Sequence, residues 1–208
     1  MEQRFSDDFS KVLEFSRDEA LRTGWHNICP DHIMLGILRH ADNGATRVIE
    51  ALGLIPDHLK ASLDEALFVS EQIPWEERES VNFSDSSLSL LQHAALEAAR
   101  CGDEVLEPLH FLLAICRISG SYSHDYLDDC GVELRSLVEA ADIPWSQYGL
   151  AGRPSGMSDE SSVMMSRSDA SESEAPVNEA SSPDLTLMAA AIEKRLREGY
   201  TTDNPNVS

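Results

Sequence analysis

The sequence contains two copies of one unit, residues 5–64 and 83–142, which align without a gap. Sixteen of the sixty aligned pairs are identical. They include Phe5 and Phe83, Glu19 and Glu97, Arg22 and Arg100, Gly24 and Gly102, Pro30 and Pro108, His32 and His110, and Gly53 and Gly131. An internal repeat constrains the fold because both copies must adopt the same structure. The sequence predicts one folded body made of two similar halves, and a tail that belongs to neither half.

Each copy reads as four short helices. In the first copy, Ser6 is a good N-cap and Gly24 a good C-terminal stop for a helix with an apolar stripe. Proline at the helix start predicts further helices from Pro30 and Pro56, with one between them. The second copy repeats this plan over 84–100, 108–117, 121–129 and 133–141. Since no segment alternates strictly between apolar and polar residues, no strand is predicted.

The predicted body covers residues 1–145, with repeat 1 at about 4–69 and repeat 2 at about 82–145. Between the repeats, residues 70–82 contain a proline and a run of charges, which predicts a solvated connector. The sequence Ile-Pro-Trp occurs at 73–75 and again at 143–145, so each copy is expected to close with the same apolar flap. We expect both tryptophans to pack on their own repeat rather than form a binding site.

The tail divides into two parts. Residues 146–183 are rich in Ser, Gly, Pro, Met and acidic residues without periodicity, which predicts a disordered linker. Residues 184–198 are typical of a short amphipathic helix with basic residues near its end. Its apolar face comprises Leu185, Met188, Ala189, Ile192 and Leu196. Because so short a helix is marginal alone, it is expected to dock on its own body or on a partner.

The charge of the chain limits its partners. The net charge is −21, and residues 1–145 carry 11 basic against 27 acidic residues, a balance of −16. Such a field repels nucleic acids and anionic lipids, so neither is an expected partner. The N-terminus lacks the features of a secretory signal, and no apolar run is long enough to cross a membrane. The four cysteines form no CxxC pair, which favours a reducing cytoplasm.

Motifs for catalysis are absent from the sequence. There is no G-x-x-x-x-G-K-[ST], HExxH or GxSxG, so we predict that the chain is not an enzyme and needs no cofactor. The best metal-like cluster is His26-x-x-Cys29-x-x-His32, but the second copy keeps only His110. Histidines at the start of an apolar helix are more often structural, so no metal is expected. Cys29 is expected to be an inert rather than a reactive thiol.

Two segments of the first copy carry a family resemblance. Glu19-Ala20-Leu21-Arg22-Thr23-Gly24 and the run from Ile28 to Ile37, including Pro30-Asp31-His32, resemble the N-terminal repeat domain of the Clp (Hsp100) unfoldases, most closely the ClpC and ClpA type. In the second copy, Glu107-Pro108-Leu109-His110 resembles the ClpB-type variant. The resemblance covers about residues 4–145 and stops before any AAA+ ATPase module. Three origins stay open: an excised fragment, a standalone relative, or a shortened unfoldase.

The resemblance implies an all-α, pseudo-twofold bundle of two four-helix repeats without catalytic activity. Clp N-domains bind adaptors and substrates, so the implied function is to associate with or modulate a Clp unfoldase or protease. The alternative is a general peptide-binding module that selects basic or Arg-rich segments without a Clp partner.

The resemblance also suggests where a partner binds. Some ClpC proteins recognise phosphorylated arginine with the Glu-His turn of each repeat, and the resemblance maps these turns onto five candidate partner-binding residues: Pro30, Asp31, His32, Glu107 and His110. The first glutamate of the pattern is Asp31 here, whereas the second is Leu109. Any ligand site is therefore expected to be unequal between the two copies.

Overall fold

Eight helices follow the predicted plan in this computed structural model, which describes residues 4–69 and 71–148. The first repeat contains α1 (Asp7–Thr23), α2 (Pro30–His40), α3 (Gly44–Ala51) and α4 (Pro56–Leu67). The second contains α5 (Asp85–Cys101), α6 (Pro108–Arg117), α7 (Tyr122–Asp129) and α8 (Leu134–Ala140). The hydroxyls of Ser6 and Ser84 accept the capping hydrogen bonds at the starts of α1 and α5. The all-α class with four helices in each repeat is confirmed.

Four two-residue strands join the repeats, although the sequence pattern predicted none. β1 (Arg4–Phe5) pairs in parallel with β4 (Val105–Leu106), and β2 (Asn27–Ile28) pairs in parallel with β3 (Asn82–Phe83). Each pair links the segment before one repeat's first helix to the loop after the other repeat's first helix. Two residues are too few to show alternation in a sequence, which explains why these strands were missed.

Helices of the two repeats also pack directly against each other. The second helix of each copy lies against the third helix of the other, α2 on α7 and α6 on α3. The rings of Phe9 and Phe111, one from each repeat, have centroids 6.3 Å apart in a core that includes residues of both copies. Burial of this shared apolar surface stabilises the two copies as one unit.

The connector between the repeats is only partly solvated. Residues Trp75–Ser80 form a 3-10 helix whose glutamates are exposed, but Arg78 is buried and its Nε donates to Asp18 Oδ1 at 2.9 Å. The guanidinium carbon of Arg78 also lies 4.7 Å from the centre of the Trp75 ring. The prediction of a fully solvated connector is therefore wrong in one respect, because the charged side chain of Arg78 is buried and bonded to α1.

A ninth helix among the described residues, α9 (Trp145–Tyr148), extends the folded body beyond the predicted boundary at 145. Tyr148 is buried, and its hydroxyl donates to Glu97 and accepts from Arg117. Tyr148 follows the second Ile-Pro-Trp at the same distance as Arg78 follows the first. Each flap thus places one polar side chain against the first helix of its repeat. The predicted linker from residue 149 to 183 and the predicted helix at 184–198 lie outside the described residues.

Within residues 4–69 and 71–148, no helix has the length and apolar character that a membrane crossing requires.

Candidate functional site

Asp31 lies in the first turn of α2, and its carboxylate caps α7 of the other repeat. Oδ1 accepts hydrogen bonds from the backbone N–H of Ser123 at 2.8 Å and from the Ser123 hydroxyl at 2.6 Å. Oδ2 accepts from the backbone N–H of Tyr122 at 3.3 Å. The residue is only 7% exposed. Asp31 therefore satisfies N–H groups that a helix start leaves without intrahelical partners, and it ties the two repeats together.

The counterpart of Asp31 makes the matching contact with apolar atoms. Leu109 is the second residue of α6, and a Cβ added to Gly44, the first residue of α3, would lie 3.7 Å from the Leu109 Cβ. At this position α2 thus makes a polar contact with α7, whereas Leu109 offers only apolar side-chain atoms to α3. The difference between Asp31 and Leu109 follows the chemistry of the helix that each one touches.

His32 and His110 hold the starts of α2 and α6. Nδ1 of each ring accepts a backbone N–H at 3.0 Å, from Cys29 and from Glu107 respectively. Nε2 therefore carries the ring proton. It meets the Thr23 hydroxyl at 2.9 Å in the first copy and the Asp103 carboxylate at 3.0 Å in the second. The expectation that both histidines are structural is confirmed.

Burial and, as a smaller effect, the positive charge of Arg22 together lower the pKa of His32 to about 4. Burial also lowers the pKa of His110, although Asp103 opposes this effect. Both rings are therefore neutral at neutral pH.

His32 makes a testable contribution to acid sensitivity. Below pH about 6.5 its ring is protonated in the unfolded chain but stays neutral in the folded one, so the free energy of unfolding falls as the pH drops toward 4. The expected loss from this residue is up to about 3 kcal/mol. Urea unfolding at pH 7.5, 5.5 and 4.5 measures it. His32→Gln removes the titrating ring, so its stability should fall less over this range; an equal fall in both proteins contradicts the assignment.

The other members of the predicted metal-like cluster are not arranged as ligands. His26 is exposed, and both ring nitrogens of His32 already make hydrogen bonds. Burial, aided by the charge of Asp31, raises the pKa of the Cys29 thiol to about 11. The thiol is therefore protonated at neutral pH, as expected for an inert cysteine.

A second group of ligand-type side chains was missed by the sequence analysis. Cys101, Asp103 and His110 have ligand atoms within 4.8 Å of one another. However, Nδ1 of His110 accepts the Glu107 N–H, so Nε2 holds a proton and offers no lone pair. A cation bound at Nε2 would break the hydrogen bond that starts α6. This group is best explained as an N-terminal helix contact rather than a metal site.

The five predicted partner-binding residues thus lie at two helix starts, where Pro30, Asp31, His32 and His110 are buried and only Glu107 is exposed. Their role as partner contacts stays a prediction.

A different surface exposes large apolar side chains beside α1. We name it the connector edge; it comprises Trp25, Phe68, Val69 and Trp75. The chain after α4 runs along the end of α1, since Trp25 Nε1 donates to the Leu67 carbonyl at 2.7 Å and the Val69 N–H donates to the Thr23 carbonyl at 2.9 Å. Phe68 and Trp75 are 57% and 59% exposed.

Glycine makes this close approach of the chain possible. Gly24 has φ +85°, and a Cβ at this position would lie 2.2 Å from the Glu71 carbonyl oxygen. Only glycine fits both the left-handed backbone and the contact. The repeat identity between Gly24 and Gly102 therefore reflects a helix stop in both copies and, in the first copy, the docking of the connector as well.

The connector edge borders an open groove of about 420 Å³. Its lining residues are Asp18, Leu21, Arg22, Gln72, Ile73, Pro74 and Trp75. Four exposed glutamates follow along the same connector: Glu71, Glu76, Glu77 and Glu79. None of these four carboxylates forms an ion pair within the described part of the chain. The surface combines an apolar strip with unneutralised negative charge.

This surface is not among the sequence predictions, which place Trp75 on its own repeat and do not include Phe68 or Val69. The available signal was the position of three large apolar residues within and beside a connector that is otherwise acidic. Such a placement leaves apolar groups without a helix face to bury them.

Comparison with curated proteins identifies Clp relatives. The chain is 26% identical over 154 residues to "Chaperone protein ClpB" of Oceanobacillus iheyensis, which covers 72% of this chain and 18% of that protein. It is 25% identical over 131 residues to "Negative regulator of genetic competence ClpC/MecB" of Bacillus subtilis, covering 63% of this chain and 16% of that protein. The alignments therefore span less than a fifth of either relative.

A solved structure and a family model agree with these matches. The N-domain of ClpV from Vibrio cholerae superposes with a TM-score of 0.56 at 17% identity, covering 68% of this chain and 87% of that domain, which supports the fold. The model of the Clp repeat (R) N-terminal domain matches residues 4–142, which include both repeats. The chain therefore belongs to the Clp N-terminal repeat family.

Proposed function

We propose that this chain is a non-catalytic protein-binding module that associates with a Clp unfoldase or protease, or with its adaptors and substrates. The observation that carries the proposal is the connector edge, an exposed aromatic surface on a domain of the Clp N-terminal repeat family. Contiguous apolar surface with a polar rim is characteristic of protein interaction sites. The hydrogen bonds that His32 and His110 make at helix starts support a structural rather than a catalytic role for both rings.

The geometry of the connector edge suits a peptide segment. Phe68 and Trp75 offer large rings at little conformational cost, and aromatic side chains dominate binding energy at interfaces. The groove beside Trp75 can receive an apolar side chain of the partner. Hydrogen bonds from the backbone N–H groups of Val69 and Ile73 fix the chain that carries these residues to α1. Binding therefore costs little conformational entropy of this backbone.

Association with Clp proteins can be tested by affinity capture. The full chain, immobilised and exposed to native lysate, should enrich a Clp ATPase, a Clp protease subunit or an adaptor that mass spectrometry identifies. Recovery of none of these over a range of salt concentrations contradicts the Clp association. The cytoplasmic location stays a prediction of the sequence.

The connector edge makes a specific prediction for this binding. Phe68→Ala combined with Trp75→Ala should weaken the affinity for a captured partner by about 10-fold or more. Stability should change little because both rings are mostly exposed. Isothermal titration calorimetry measures the affinity. Trp145→Ala is the matched control, since Trp145 occupies the equivalent flap of the second repeat and is 50% exposed. An equal loss in both variants contradicts the proposed surface.

A second candidate function is favoured by the charge of the body. A module that binds basic or Arg-rich segments without a Clp partner would use the acidic surface, including the glutamates of the connector. Its affinity for an Arg-rich peptide should fall steeply with added salt because exposed charges are screened. An affinity that does not depend on salt favours apolar docking at the connector edge instead.

A further inference from the structure

We propose that residues 184–197 of this chain bind the connector edge of the same molecule. The inference rests on the docking surface of the proposed function and names an occupant for it.

The connector edge is complementary to a ligand that is both apolar and basic. Its four apolar residues are exposed, and the neighbouring glutamates lack ion pairs within the described residues. Most cations of the folded body are already engaged. Arg22, Arg39, Arg47, Lys60, Arg78, Arg100, Arg117 and Arg135 all form salt bridges. The glutamates of the connector are therefore available to a basic segment from outside the described residues.

Residues 184–197 have both properties. Leu185, Met188, Ala189, Ile192 and Leu196 recur at intervals of three and four, the spacing of one helical face. Lys194, Arg195 and Arg197 follow at the end of the same segment. Nowhere else in the 208 residues do three basic residues fall within four positions. The segment thus matches the connector edge in apolar character and opposes it in charge.

The chain between them is long enough for intramolecular binding. Residues 149–183 separate the segment from α9, and a random chain of that length spans about 33 Å. A folded body of this size has a radius of gyration of about 15 Å, so the segment can reach any face. A tether of this kind provides an effective concentration of about 1 mM, which favours binding within one molecule over binding between molecules.

Hydrogen exchange of the full chain tests the proposal. Deleting residues 184–208 should speed amide exchange of residues 67–75 by about 10-fold, the protection given by a segment that is bound nine-tenths of the time. The triple variant Lys194→Glu, Arg195→Glu and Arg197→Glu should have the same effect. Arg153→Glu with Arg167→Glu is the matched control and should leave this exchange unchanged. Equal exchange in the full and the shortened chain overturns the proposal.

Cross-linking identifies which molecule supplies the segment. A photoreactive p-benzoylphenylalanine in place of Trp75 should cross-link to residues 184–197 within one chain at any protein concentration. Cross-linked dimers whose yield rises with concentration would show a second copy as the occupant and overturn binding within one molecule. Neither experiment contains a Clp protein, so failure here leaves the proposed function standing, and a missing Clp partner leaves this result unaffected.

Discussion

Replacing Glu97 with alanine is expected to lower the free energy of unfolding by about 3 kcal/mol or more. Glu97 is fully buried, and its carboxylate accepts hydrogen bonds from Arg100, Arg117 and the Tyr148 hydroxyl. Removing it leaves two cations and a buried hydroxyl without their acceptor. Because both arginines are partly exposed to solvent, we expect the loss to be near the lower end of the roughly 3–5 kcal/mol that breaking a buried ion pair costs. Urea unfolding at pH 7 measures the change.

The equivalent residue of the first repeat supplies the control. Glu19 pairs with Arg22 and Arg39, but Arg22 also pairs with Asp64, and Arg39 lies 3.5 Å from Asp18. These second carboxylates keep the arginines neutralised when Glu19 is removed. Glu19→Ala should therefore destabilise the protein less than Glu97→Ala. The reverse order would show that the network around Glu97 is not what stabilises the second repeat.

Replacing Asp31 with alanine is expected to cost about 3 kcal/mol of stability, because a charged acceptor of three hydrogen bonds is lost at the start of α7. Amide exchange at Ser123 should accelerate more than exchange in α1. Leu109→Ala is the matched control, since it alters the apolar contact at the other repeat and leaves Ser123 capped. These two measurements separate a local capping role from a general loss of packing.

Asp31→Asn distinguishes structure from recognition. The amide oxygen still accepts hydrogen bonds from α7, so most of the stability should remain. If Asp31 contacts a cationic partner directly, this variant loses partner affinity while staying folded. If its function is to cap α7, affinity persists and only stability changes. Unchanged stability in Asp31→Ala would contradict the capping role.

The helical architecture could be predicted because its signals are local. Ser6, Gly24 and Pro30 mark helix ends in the sequence, and their counterparts recur in the second copy. The repeat then specifies how many helices each half contains. The family resemblance added two predictions, the pseudo-twofold arrangement and the function. The match to the family model agrees with the family, and the similarity to a solved N-domain agrees with the arrangement.

The contacts between repeats could not be predicted, because they join residues far apart in sequence. Asp31 was read as a candidate ligand contact, whereas its hydrogen-bond partner Ser123 lies 92 positions away. Strand pairs of two residues carry no periodic signal. The connector edge also depends on contacts between separate segments of the chain. The exposure of Phe68 and Trp75 follows from where the connector docks on α1, which the sequence pattern does not indicate.

Site-specific photocross-linking in living cells tests the central claim most directly. The full chain carrying p-benzoylphenylalanine in place of Trp75 should form an adduct with a Clp ATPase, a Clp protease subunit or an adaptor, identified by mass spectrometry. The same probe in place of Trp145 reports on the equivalent flap of the second repeat and should give little adduct. Adducts with Clp proteins from position 75 and not from position 145 are the predicted result. Equal adducts from both positions, or no Clp protein from either, would contradict the account.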